Sequence, residues 1–291
     1  MEFPTALVLN AIVAGLLLGG FYAAVSVGIS ISFGMLDVVN IAHPAFIILG
    51  SYVAYSFNDR MGVDPIVVSI VLSPLFFAFG LLLYRIYYQC FEKRGQESLR
   101  GLAFFFGILF ITEVVLVLVF GVDYRLVGTA YSSTTLHLGA VDFPLRLAVP
   151  FVVAVTMVVG VQQYLSYTFF GRAVLAVAQD QLALRLMGVN PIRVKEFAFA
   201  LSIATAGVAG ALLIVIQPVQ PAIGREYIGL VFAVCVLGGM GSIWGTLLGA
   251  LILGLAESFT STFFGPSWAP AVSFGILLAA LAFKPSGLLG R

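Results

Sequence analysis

The residues of this chain able to do chemistry are few, and most are hydroxyls. Tyr22, Ser26 and Ser30 recur every four positions, which sets them along one face of a helix. Such a strip inside an apolar segment either lines a path for a polar solute or bonds back to helix carbonyls and neighbouring helices. Just beyond it, FGMLDVVNIAHPAF (33–46) carries Asp37, Asn40 and His43, followed by Pro44. His43 beside Asn40 either contacts a solute or anchors a segment that Pro44 prevents from continuing as helix. Glu113 and Glu257 fall inside long apolar runs. A carboxylate within a membrane segment marks function by default, while a hydrogen bond to a neighbouring helix or a position near the head groups accounts for either equally well.

None of these spacings builds a catalytic centre. The sequence has no HExxH, P-loop or GxSxG motif, and its two histidines, His43 and His137, are far apart. Cys90 and Cys235 have neither metal-site nor disulfide spacing. Without a Walker A lysine the chain is not expected to hydrolyse ATP by itself, and no cofactor of its own is expected.

The elements that must position these groups are membrane helices. Of 291 residues, 61% are hydrophobic and only 9% charged, with a mean hydropathy of +1.12, against roughly a quarter charged in soluble domains. Runs such as Ala6–Val27, Ile66–Leu83, Leu102–Phe120 and Leu147–Val161 suit the ~20 apolar residues a bilayer helix needs. The alternation of a membrane β-barrel is absent. The fold expected is therefore an all-α polytopic membrane protein, one domain over 1–291. Crossings are expected near 6–32, 41–57, 64–84, 102–120, 147–166, 197–217, 228–240, 243–263 and 268–284, making eight or nine helices. The seventh is short and interrupted by Gly238-Gly239-Met240-Gly241, so it reads as broken or re-entrant. Together with 33–46 it makes two irregular segments, one in each half, as in transport pathways built between structural repeats, or else two tight connections at a membrane face. Gly241, Gly245 and Gly249, spaced by four, read as one packing face within the subunit or at a dimer contact. Ala206, Gly207, Ala209 and Gly210 suggest the same on the preceding helix.

Arg85, Lys93, Arg94 and Arg100, then Arg172, Arg185, Arg193 and Lys195, then Lys284 and Arg291 form three cationic groups. Cytoplasmic segments carry the excess of Lys and Arg, so 85–101, 167–196 and the C-terminus are expected inside, with 121–145 outside. The first Lys or Arg is Arg60, so no basic signal-peptide n-region precedes the first apolar segment, which is expected to be retained. The net charge of +1 leaves no nucleic-acid footprint.

Residues 176–197, AVAQDQLALRLMGVNPIRVKEF, gather charge in a chain that avoids it. They read as a helix of about twelve residues ending at Gly188 and Asn190-Pro191. Val177, Leu182, Leu184, Leu186 and Met187 spread around its circumference. A helix apolar all round expects burial, here between membrane domain and soluble partner; a plain surface or interface helix is the alternative.

Four stretches, in order along nearly the whole chain, resemble the LivH/LivM-type permease family of branched-chain amino acid ABC importers. They are GGFYAAVSVGISISFGMLDVVNIAHPAFIILGSYVA, FITEVVLVLVFGVDYR, residues 172–190, and VLGGMGSIWGTLLGALILGLAES at 236–258. The likeness is nearer the LivH-type member. Departures are Pro44 where Gly usually follows the His, Leu184 where a small residue is usual, and GILFIT before Glu113 in place of Gly-Leu-Ser. The resemblance implies a bacterial inner-membrane importer with a second permease, two ATPase subunits that hold ATP and Mg, and a periplasmic binding protein. It implies alternating access; on that model the groups expected on the pathway from their own positions are Tyr22, Ser26, Ser30, Asn40 and His43. It also implies that the 180–190 region, with Asp180, Gln181, Arg185, Gly188 and Asn190, is the coupling helix seated on an ATPase. Relatives also move urea, short amides or aromatic acids. A self-contained channel or secondary transporter is the competing class, with Asp37, Glu113 and Glu257 as its candidate coupling groups.

Overall fold

The computed structural model describes residues 5–95, 98–139, 141–284 and 286–290. Arg291 of the closing cationic group lies outside them. In chain order the helices are α1 (Thr5–Ser32), α2 (His43–Met61), α3 (Pro65–Cys90) and α4 (Ser98–Phe120). A hairpin of β1 (Thr135–Leu138) and β2 (Val141–Pro144) follows, then α5 (Leu145–Tyr167) and the short α6 (Phe169–Val177) and α7 (Gln181–Leu186). The chain continues through α8 (Pro191–Ile216), α9 (Gly224–Gly238), α10 (Ile243–Phe263) and α11 (Ala269–Phe283). Eight segments among the described residues are long and apolar enough to cross a membrane. The remaining long helix is α2, whose later turns carry Ser51, Ser56, Asn58, Asp59 and Arg60.

Local chemistry sets the helix ends. Asp64 accepts from Ile66 N and Asn190 from Ile192 N, each with Pro at the first helical position of α3 and α8. These are N-caps that satisfy otherwise orphaned amides. Gly62, at φ 66°, closes α2.

The core is built on α1 and α8, which α2, α3, α5 and α10 surround. Lipid gives helices no hydrophobic reason to associate, so close backbone approach carries the packing. At Gly210 a Cβ would stand 2.1 Å from the Ile47 carbonyl oxygen, which is how tightly α8 meets α2. Gly19 approaches the Leu251 backbone in the same way, seating α1 on α10. The outward faces of α4 and α11 expose Ile111, Leu118 and Leu278, as a lipid-facing surface does.

The structure departs from the sequence reading in two places and adds a detail in a third. The expected helical membrane fold is present, with one small addition, the β1–β2 hairpin, in which His137 pairs with Asp142 across the strands. Its alternating Thr-Leu-His-Leu and Val-Asp-Phe-Pro stretches sit in the polar connection between α4 and α5. The irregular stretch around Gly238 is confined to 239–242, where Gly239 and Gly241 have φ of 103° and 80°. Gly241 therefore lies in a turn and does not share a helix face with Gly245 and Gly249. Those two pack α10 directly onto the α9 backbone at Gly238 and Val234. Finally, the expected twelve-residue helix at 176–187 is two pieces. Asp180 is extended and caps Leu182 N and Ala183 N at 2.8 and 3.0 Å, which ends one helix and starts another.

The seventh crossing, Pro221–Gly238, is long enough to span only when its entry turn is included. Gln217 is extended, Pro221–Ile223 forms a 3-10 turn, and α9 then runs for 15 residues. At 1.5 Å per residue that is roughly 22 Å, less than the ~30 Å hydrocarbon core. The two irregular segments meet. A Cβ on Gly34 would lie 2.0 Å from Gly241 N. The C-terminal segment is tied to the same turn through Leu288 N and Leu289 N, which donate to the Leu237 and Gly238 carbonyls.

Candidate functional site

At the middle of α1, Tyr22 borders a cavity of ≈ 200 Å³ where α1, α9, α10 and α11 converge. Its hydroxyl donates to Glu257 Oε2 on α10 at 2.8 Å. Across the cavity, Gln217 Nε2 donates to the Tyr227 hydroxyl at 2.8 Å. Glu226 and Ser273 add polar wall, and Leu230 and Phe274 supply apolar wall. Glu257 thus stands in a mixed pocket inside the bundle, bonded to the first residue of the α1 hydroxyl strip.

Ser26 and Ser30 continue that strip for two further turns, about 12 Å, toward the Gly34–Gly241 junction. Both are buried, and their hydroxyls have no partner among the described residues. Neither lines the cavity at Tyr22. Cys235 of α9 donates its thiol to the Ser26 carbonyl at 3.4 Å, closing the strip from one side. Asn40 and His43 are also fully buried, and His43 packs beside Gly28, level with Ser26. His43 Nε2 meets the Val25 carbonyl at 3.3 Å; since a carbonyl only accepts, that nitrogen carries the proton. The bond ties the first residue of α2 to α1. His43 Nδ1 and both Asn40 side-chain polar atoms lack partners among the described residues. Buried unpaired groups cost about 1–3 kcal/mol each, so a set concentrated at one junction marks a region under functional constraint. Of the pathway residues named from the sequence, Tyr22 borders the cavity, Ser26 and Ser30 continue its face of α1, and His43 packs at Val25 and Gly28 on another side of the same helix.

Glu113 is not free. Arg225 of α9 donates to it at 2.6 Å, tying α4 to α9, with the Arg225 side chain 52% exposed and Glu113 14%. Sequence reasoning did not single out Arg225, Glu226 or Tyr227. The available signal was a charged pair, Arg225-Glu226, between two apolar runs.

At the cation-rich end, α6 and α7 connect α5 to α8. Asp180, Gln181, Arg185, Gly188 and Asn190 are all exposed there. Asp180 and Asn190 spend their side chains on helix caps. Gly188, at φ 79°, makes the turn between α7 and α8. Leu184 is buried against the domain, whereas Leu182, Leu186 and Met187 are 67%, 82% and 69% exposed. One side of α7 is seated, and the other presents three large apolar side chains. Beneath it, Lys195 pairs with Glu92 at 2.7 Å, and Tyr84 donates to Glu92 at 2.6 Å. Arg85 pairs with Glu196 alongside.

At the opposite end, the Tyr131 hydroxyl donates to Asp64 at 3.3 Å. Burial, helped by the Asp64 carboxylate, pushes the Tyr131 phenol up to about 12. No group of three or more metal-ligating side chains occurs among the described residues.

Eight membrane-length helices among the described residues, burying a sparse set of polar groups around one central helix, are the architecture of a membrane permease. The chain belongs to the family of branched-chain amino acid transport system permease components, whose family model matches residues 11–281. It is 30% identical to the high-affinity branched-chain amino acid transport system permease protein BraD of Pseudomonas aeruginosa, over 97% of this chain and 96% of that one. It is 29% identical to the corresponding LivH of Escherichia coli, over 95% and 94%. LivM of Escherichia coli matches at 34% over 41% of this chain and 28% of its own length. Among solved structures, PsaBC from Streptococcus pneumoniae in complex with Fab shares the fold, with a TM-score of 0.50, 13% identity, and 95% and 91% coverage.

Proposed function

We propose that this chain is the LivH-like permease subunit of an ATP-driven importer, moving branched-chain or other hydrophobic amino acids by alternating access. The observation that carries the reading is the buried polar strip on α1, running from the cavity at Tyr22 through Ser26 and Ser30 toward the Gly34–Gly241 contact. A path open at one end and closed at the other is one state of a two-state transporter. In this reading Gly34 and Gly241 are the contact that parts when the inner side opens.

Energy enters through α7. Its exposed Leu182, Leu186 and Met187 match the apolar anchor of a helix that fits a groove on a partner. That partner is an ATPase subunit, which holds ATP and Mg; this chain holds no cofactor. The second permease is a LivM-like chain, a reading supported by the match to LivM, and a periplasmic binding protein delivers the solute. The chain then sits in the bacterial inner membrane, with α7 and the C-terminal segment facing the cytoplasm.

Reconstitution tests this directly. Liposomes carrying this chain, its partner permease and ATPases, with the binding protein outside, should accumulate radiolabelled leucine only with ATP. Uptake by this chain alone, without ATPases, would overturn the proposal in favour of a self-contained transporter.

A further inference from the structure

The cavity beside Tyr22 has a charge pattern that selects its occupant. Two carboxylates, Glu257 and Glu226, border it. Among the described residues no Lys, Arg or His borders it, and Arg225 is committed to Glu113 at 2.6 Å instead. Ionised carboxylates only accept hydrogen bonds, and a carboxylate held away from water requires a cation or donors to compensate it. Tyr22 supplies one donor, to Glu257 Oε2. Glu257 Oε1 has no partner among the described residues. Ser273, only 5% exposed, stands on the same wall with its hydroxyl unpartnered among the described residues. Leu230 and Phe274 face this polar set with hydrocarbon. A volume of ≈ 200 Å³ is below the roughly 300–1,000 Å³ of drug-sized pockets, which limits the occupant to a small solute.

We infer that this cavity is a transit subsite for a small aliphatic ammonium, with the –NH3+ group on Glu257 and the alkyl chain against Leu230 and Phe274. The inference rests on the importer reading and deepens it. An α-amino acid meets the requirement through its amino end. An aromatic acid, which offers only an anion, is repelled by both carboxylates, and urea brings no charge to compensate them. The permease then contributes selectivity of its own at the point where its path closes.

The test uses the complete transporter in nanodiscs and three probes: leucine, 3-methylbutan-1-amine (its chain and amine without the carboxylate) and 4-methylpentanoate (its chain and carboxylate without the amine). Ligand-observed NMR titration at neutral pH should show the amine and leucine binding at least tenfold more tightly than 4-methylpentanoate. Glu257→Gln should weaken the amine at least tenfold while leaving 4-methylpentanoate unchanged or tighter. A change in ligand preference is something a merely structural role would not produce. Glu226→Gln, at the exposed rim, should shift preference in the same direction and serves if Glu257→Gln does not fold. The inference fails if the amine does not bind, or binds both variants as it binds the parent. Normal ATP-driven leucine uptake together with unchanged amine binding in Glu257→Gln sinks the subsite and spares the importer. Glu257-dependent amine binding without leucine uptake sinks the assigned cargo and spares the subsite.

Discussion

Replacing Lys195 with Met should destabilise this protein more than any other single loss of charge at the cation-rich end. The Lys195 and Glu92 side chains are 6% and 10% exposed, and their charged atoms lie 2.7 Å apart. Tyr84 donates to Glu92 at 2.6 Å, so one hydroxyl remains for the carboxylate when the ammonium is gone. Removing one partner of a buried pair leaves an uncompensated charge and typically costs about 3–5 kcal/mol. At the lower end that is more than a hundredfold in the folding equilibrium. The neighbouring Arg85–Glu196 pair is an internal control. Arg85 is 66% exposed, and exposed pairs contribute only about 0–1 kcal/mol, so Arg85→Met should be nearly silent. The double variant Lys195→Met/Glu92→Gln removes the buried charge altogether and should recover most of the loss, because a neutral amide still accepts from Tyr84. Thermal unfolding of the four purified proteins in one detergent gives the comparison. Equal melting of Lys195→Met and Arg85→Met, or a double variant less stable than Lys195→Met alone, would refute the reasoning.

Three further outcomes follow from the same geometry. Leu186→Asp should leave melting unchanged and weaken ATPase association about tenfold to hundredfold, from the roughly 1.5–3 kcal/mol that burying a leucine contributes; unaltered co-purification with the ATPases would exclude α7 as the docking surface. Gly210→Val drives a side chain toward the Ile47 carbonyl, 2.1 Å from where its Cβ falls, and should cost at least the roughly 1–3 kcal/mol of an overpacked core, read as a lower melting temperature. Tyr131 should titrate near 12 rather than 10, read as the difference between ultraviolet pH titrations of the parent and Tyr131→Phe. Because its folded value is raised, the neutral phenol's contribution is complete below pH 10 and is lost as pH rises toward 12; a Tyr131 transition at the ordinary value would contradict the burial described here.

The class of protein, the approximate crossings and the cation-rich end were legible in the sequence. Each depends on sums over neighbouring residues: transfer of apolar side chains into lipid, and the asymmetry of Lys and Arg between loops. The starts of α3 and α8 are set just as locally, since Asp64-Pro65 and Asn190-Pro191 cap amides two residues away, yet the crossing expected in α8 begins only at 197, because hydropathy does not see the polar first turns of a helix. Even so, Asp180 was read as part of a continuous helix. Cap and interior differ by the backbone angles of one residue, and apolar spacing does not report them.

Tertiary structure decided everything that joins distant parts. Tyr22 and Glu257, 235 residues apart, form a cavity wall only because α1 and α10 pack through small residues. Arg225 finds Glu113 because an extended entry and a short α9 set its level against α4. Gly34 meets Gly241 because both helix breaks reach the same plane. Hydroxyls at four-residue spacing state that a polar strip exists. Which end of it is open depends on which side chains from other helices cover it, and that is a property of packing rather than of order along the chain.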